Sequence, residues 1–180
     1  GVVLINALNV LESFNLNKYK ENSAVTYHLI AEALRKGHHA RSRNVGDPEF
    51  YDVPISSLVD KKHAREHAQK IKFNTALPAN EIKPIEVINE SRDTTHYSII
   101  DKEGNAVSNT YPRGYSFGSG VTIPGTGILM NNQMNNFAFK YGDASEISRS
   151  SSPGNIFEPG KRPMSTMNPV IVKNKDTGIF

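Results

Sequence analysis

Residues 94–100, Thr-Thr-His-Tyr-Ser-Ile-Ile, alternate with a period of two: Thr95, Tyr97 and Ile99 lie on one side, and Thr94, His96, Ser98 and Ile100 on the other. This pattern predicts a half-buried strand. Lys102-Glu103-Gly104-Asn105 supplies turn residues, including a glycine able to take positive φ, and residues 106–111 predict the returning strand of a hairpin. Earlier in the chain the period is helical. Leu4, Leu8 and Leu11, widened by Val3, Ala7 and Val10, predict a helix over 2–14 buried on one face. A second helix is predicted over 24–36, capped by Ser23 and stopped by Gly37. Its apolar face is Val25, Leu29 and Ala33, with Ile30 and Leu34 beside them. Val53-Pro54 leads into a short helical turn, and Asp60 caps a helix over 61–70. From 74 to 92 the periodicity fades and Pro78 and Pro84 interrupt any helix, which predicts a linker. Beyond the hairpin come a glycine-rich stretch over 114–127, short strands over 121–123 and 128–130, a polar loop through Asn155 and a last strand over 170–172.

Composition narrows the classes. The chain of 180 residues is long enough for one domain with a core. Its net charge of +3 is spread evenly, and no basic block is interleaved with aromatics, so no nucleic-acid partner is expected. The absence of cysteine excludes disulfides and thiol chemistry. No apolar run approaches the roughly 18 residues of a membrane helix, and no signal peptide is visible. His38 and His39 are adjacent and cannot share a helical face. His63 and His67, four apart, do share one, but the H-E-x-x-H order is missing and Lys61, Lys62, Arg65 and Lys70 around them predict a solvated surface. Neither metal nor cofactor is expected.

Five collinear stretches carry a resemblance. Thr94-Thr95-His96-Tyr97-Ser98, with Asp101, Gly104, Asn105, Ala106 and Val107, resembles the start of the small subunit of γ-glutamyltranspeptidases. Phe117-Gly118-Ser119-Gly120 through Gly127 to Met134 is similar to that family's FGSG…GILLNNQM, and Pro159 through Pro169 to its PxKRPLSSMSPT. Residues 1–14 resemble its GG(I/V)xxxxxLNxLExF helix, and Gly46-Asp47-Pro48-Glu49-Phe50 its GDPDF. The resemblance implies an α+β fold of the N-terminal nucleophile hydrolase type, an αββα sandwich, incomplete in this chain. Residues 1–93 would be the C-terminal part of a large-subunit-like segment, helical and then a linker. Residues 94–180 would be the N-terminal part of a small-subunit-like segment, mostly strands and loops. Such enzymes cut themselves before their first threonine, here the Asp93–Thr94 bond.

A threonine hydroxyl is a weak nucleophile that needs a base within hydrogen-bond reach. A freed α-amine on Thr94, with an ordinary pKa of about 8, suits that role, so one residue supplies nucleophile and base. The resemblance makes the substrate a small γ-glutamyl compound or related amide, with an amino acid, a peptide or water as acceptor. It implies the remaining parts of the enzyme or a partner subunit as partners, and a periplasmic, secreted or extracellular-facing location. Ser165 and Thr166 match the hydroxyl pair that holds the substrate α-carboxylate; the arginine that assists them lies outside this sequence, as does the oxyanion glycine pair. Gln133 matches one holder of the α-ammonium. Three positions depart. Asn136 stands where the family has an acid, Gly114 where it has an asparagine, and Pro112 where it has the second threonine that bonds the nucleophile. Arg113 adds a positive charge beside them. A neutral Asn136 offers an ammonium roughly half the strength of a charge-assisted bond, and Pro112 brings no donor. A substrate that is anionic or lacks an α-ammonium, or a catalytically inactive homologue with a binding or structural role, is the alternative these departures open.

Overall fold

The computed structural model describes residues 1–78, 94–138, 152–176 and 178; Asp93 and most of the expected linker lie outside them. Packing divides the chain into two units, Gly1–Ile88 with Asn136–Met164, and Asn89–Asn135 with Ser165–Phe180. Together they are α+β: helices in the first unit and a two-stranded sheet in the second.

The first unit is built on α1 (Val2–Leu11), α2 (Ala24–Asn44), α3 (Ile55–Leu58) and α4 (Lys61–Ala68). Ala7 and Val10 of α1 pack with Leu29 and Ala33 of α2, Ala64 and Ala68 of α4, and Ile71 and Leu77 beyond it. The two expected side-chain caps form: Ser23 accepts from the Thr26 amide and Asp60 from the His63 amide.

Three expectations are corrected here. The buried face of α1 is Asn6, Ala7 and Val10, whereas Leu8 of the predicted stripe is 55% exposed. Asn6 is buried because its Nδ2 donates to the Leu58 carbonyl at 2.8 Å, and Asn9 makes the same bond to Val59. Together they satisfy carbonyls that the short α3 cannot pair internally. Secondly, α2 does not stop at Gly37 but continues to Asn44. Gly37 is buried, and a Cβ there would sit 2.9 Å from the Val3 carbonyl oxygen. The glycine therefore serves the approach of α1 to α2 rather than a helix end. Thirdly, His67 is not on a solvated surface: it is 8% exposed, while His63 stays open.

In the second unit β1 (Thr94–Ile100) pairs antiparallel with β2 (Ala106–Pro112), with Thr94 opposite Pro112 and Ile100 opposite Ala106. The turn is the one the sequence predicts. Gly104 has φ +84°, its amide donates to the Asp101 carbonyl, and the Asp101 carboxylate accepts from both the amide and Nδ2 of Asn105. All seven residues of β1 are nevertheless exposed, not half-buried. The alternation is present, but among the described residues the ribbon of two strands has no second sheet in its unit to cover either face. Residues 121–123 and 128–130 approach as expected, through Ile123 N to Ile128 O and Met130 N to Val121 O, yet form only the isolated bridge Thr122–Leu129. The strand expected over 170–172 is absent: these residues have no regular structure and are exposed. An apolar triplet becomes a strand only where an edge pairs with it.

Candidate active site

Thr94 opens β1 and is exposed. The pleat puts His96 and Ser98 on its face of the ribbon, and across the ladder Thr110 faces His96 and Ser108 faces Ser98. His96 is tied at both ring nitrogens: Nδ1 lies 2.6 Å from Thr110 Oγ1 and Nε2 3.3 Å from Ser98 Oγ. This imidazole cross-braces the hairpin and has neither nitrogen spare as a base for Thr94. The opposite face is braced by Asn109 Nδ2 donating to the Tyr97 hydroxyl at 2.7 Å. Sequence reading missed both braces, although the alternation already placed their members on common faces.

The register sets Pro112 directly across from Thr94. The Pro112 carbonyl accepts from Gln133 Nε2 at 2.9 Å, and the Arg113 carbonyl from the Asn132 amide at 2.7 Å. Residues 112–114 and 131–133 thus run against each other beside the start of β1, and Gln133 is brought to the residue that faces Thr94. Gly114 is buried with φ +91°, and a Cβ there would lie 2.9 Å from the Asn132 carbonyl oxygen. Both the backbone angle and the close approach exclude a larger residue at this position. Arg113 is exposed.

The other expected residues stand elsewhere. Ser165 and Thr166 are exposed; Ser165 Oγ accepts from the Met167 amide at 3.1 Å, and no hydrogen bond joins either to Thr94 among the described residues. Asn136 belongs to the first unit, where it is 6% exposed and its carbonyl accepts from Asn155 Nδ2 at 2.7 Å. Asn155, fully buried, also takes the Met164 amide on its Oδ1 at 2.8 Å. Just before Met164, Arg162 grips Asp47. The backbone amide and Nε of Arg162 donate to Oδ2 at 2.8 and 2.9 Å, and Nη2 donates to Oδ1 at 2.7 Å. Glu49 adds its carboxylate to the same guanidinium at 2.7 Å. Neither the Asn155 node nor the Asp47–Arg162 clasp was read from sequence; the one signal was that Asp47 and Arg162 fall inside resembling blocks.

The Arg162 side chain holds the Asp47 carboxyl well below the usual carboxylate range, through its hydrogen bonds first and its charge besides. A carboxyl shifted downward on folding contributes stability that is complete above its unfolded pKa, about 3.9, and is lost as pH falls through the lower folded value. Asp47→Asn is therefore expected to lower the melting temperature near neutral pH, and to differ progressively less from the native protein as pH drops below about 4. Thermal denaturation across that range checks this; a gap that stays constant with pH would contradict the clasp's ionic character.

Comparison with known proteins gives concordant matches. A family model described as Gamma-glutamyltranspeptidase matches residues 1–180. The glutathione hydrolase proenzyme of Escherichia coli (strain K12) is 40% identical over 173 residues, covering 96% of this chain and 30% of that protein. The Acylase ACY 1 proenzyme of Pseudomonas sp. (strain SE83) is 35% identical over 177 residues, covering 95% of this chain and 28% of its own length. Among solved structures, cephalosporin acylase from Bacillus halodurans superposes with a TM-score of 0.66 at 26% identity, over 92% of this chain and 27% of that one. The chain thus spans under a third of the length of these relatives.

Proposed function

The chain belongs to the gamma-glutamyltranspeptidase family, and we propose that it carries the nucleophile of a self-cleaving threonine amidohydrolase acting on γ-glutamyl or related amides. The supporting observation is the position of Thr94, exposed at the first residue of β1, where cleavage before it would make the strand's first residue a chain terminus. In the cleavage step Thr94 Oγ attacks the carbonyl carbon of Asp93, the peptide C–N bond breaks, and the acyl group shifts to oxygen. Water then hydrolyses that ester, releasing the Asp93 carboxylate and leaving Thr94 with a free α-amine. In turnover the amine takes the hydroxyl proton as Oγ attacks the substrate amide, then passes it to the leaving amine. Water or an acceptor amine resolves the acyl-enzyme. The complete fold would be the αββα sandwich, with the remaining layers and partner segment supplied by parts of the enzyme other than this chain.

Gln133, Asn136, Ser165, Thr166, Arg113 and Gly114 are the proposed substrate contacts. With Asn136 neutral and Gly114 lacking a side chain, the preferred substrate is an amide without an α-ammonium; the similarity to two acylases agrees with this. A second reading, a catalytically silent homologue, draws on one observation: Thr94 faces Pro112, which can donate no hydrogen bond. The full-length protein should be assayed with a γ-glutamyl anilide, with and without a dipeptide acceptor, and with acyl anilides that lack the α-amine. Faster release from the latter is the expected result. Faster γ-glutamyl release would return the substrate to the glutathione class, and no release from any would favour the silent homologue.

A further inference from the structure

Away from Thr94, the first unit contains a cavity of about 760 Å³ whose lining includes Lys36, His39, His67, Lys70 and Lys72, with no carboxylate among the described residues that line it. We propose that this cavity binds a small, multiply charged oxyanion. Lys36 and His39 stand three apart on α2 and share a helix face, while His67 lies in the last turn of α4 and Lys70 follows two residues past its end. The two pairs and Lys72 converge on one space.

The wall is built rather than incidental. Glu32 Oε1 accepts the Leu77 amide at 3.3 Å, and Arg35 donates through both terminal nitrogens to the Leu77 carbonyl. His28 Nε2 lies 2.8 Å from the Lys72 carbonyl, and Lys72 bridges to Thr75. These bonds pin residues 72–77 to α2. Two buried polar atoms of these residues are left without a hydrogen-bond partner: Oε2 of Glu32, which does not line the cavity, and Nε2 of His67, which does. A buried ring nitrogen left unmatched is costly, and an anionic oxygen accepting its proton would remove that cost.

The charges facing the two histidines define a pH response. Burial, with Lys36 and Lys70, holds His67 below the ordinary histidine range, opposed by the neighbouring Glu32. Burial, with Arg43 and Lys36, does the same for His39. Glu32 is already engaged by Arg35 at 2.6 Å. An anion in the cavity reverses the balance and favours the protonated rings, so binding takes up protons and tightens as pH falls through about 6.5.

Isothermal titration of the full-length protein with pyrophosphate, and separately with citrate, at about pH 6 and pH 8 tests the proposal. Saturable binding of either anion, tighter at the lower pH, supports it, and the stronger of the two identifies phosphoryl or carboxylate oxygens as the natural group. Lys70→Glu and Lys72→Glu, both at exposed positions and so safe for folding, should each weaken binding about tenfold or more. His67→Gln should keep binding while reducing its pH dependence. Lys18→Glu, outside the cavity, serves as the control and should change nothing. Absence of saturable binding by both anions, or equal affinity in the lysine variants and the control, overturns the site.

Discussion

Thr94→Ala is expected to leave one polypeptide where the native protein gives two, and to lower amide turnover by on the order of 10⁴-fold or more. The size of the effect follows from the double duty assigned to this residue. Alanine removes the oxygen proposed to attack both the Asp93 carbonyl and the substrate, so on this reading maturation and turnover fail together. Thr94→Ser separates the two explanations of such a loss. Serine keeps the hydroxyl and the α-amine, so slow cleavage and measurable turnover should survive, whereas a variant that merely unfolds would lose both. Denaturing gels and N-terminal sequencing of the second fragment provide the readout. Native protein that remains a single chain, or Thr94→Ala that still cleaves at the same bond, removes the catalytic reading and leaves the silent homologue.

Asn155→Ala should destabilise the first unit by roughly 3–5 kcal/mol. The side chain is 0% exposed and serves two backbone groups: the Asn136 carbonyl, to which its Nδ2 donates, and the Met164 amide, from which its Oδ1 accepts. Truncation strands both, and each unmatched buried group costs about 1–3 kcal/mol. Water cannot simply replace the amide, because Phe137 and Ala138, which follow its partner Asn136, and Ser152, three residues before it, are all buried, and Gly154 closes against the Tyr51 ring. Asn155→Asp keeps the acceptor and loses the donor, so it should be less stable than native by a pH-dependent amount. Chemical denaturation measures both; a change under about 0.5 kcal/mol for the alanine variant, the scale of an ordinary surface substitution, would deny Asn155 its central place.

Local chemistry was legible in the sequence, and tertiary chemistry mostly was not. The hairpin could be read because its turn closes within five residues and Gly104 and Asp101 act on their neighbours. Ser23 and Asp60 could be named as caps because each serves an amide three residues on. Gly37 was misread for the converse reason: the same glycine that ends a helix locally also lets another helix approach, and only the fold decides between them. The burial of Asn6 has no local signal, because its partner, Leu58, lies 52 residues away. The exposure of β1 depends on layers that periodicity cannot supply. At the site, Thr94, Gln133, Ser165 and Thr166 were accessible through resemblance alone. Pro112 opposite Thr94, by contrast, follows from counting back from the turn. Which faces of the ribbon are braced, by His96 and by Asn109, needed coordinates.

The clasp between Asp47 and Arg162 joins residues 115 apart, and the bond before Thr94 lies between them. While the backbone is whole, closing that circuit is a matter of ring entropy, which grows only slowly with length. Severing the backbone turns the same ion pair into an association between separate molecules, since the first unit draws on both sides of the cut. The mature protein would then hold together by contacts alone, with its halves' mutual local concentration maintained only while they stay folded. Maturation would thus be a one-way passage: a chain that folded unimolecularly becomes a complex whose recovery after unfolding depends on dilution.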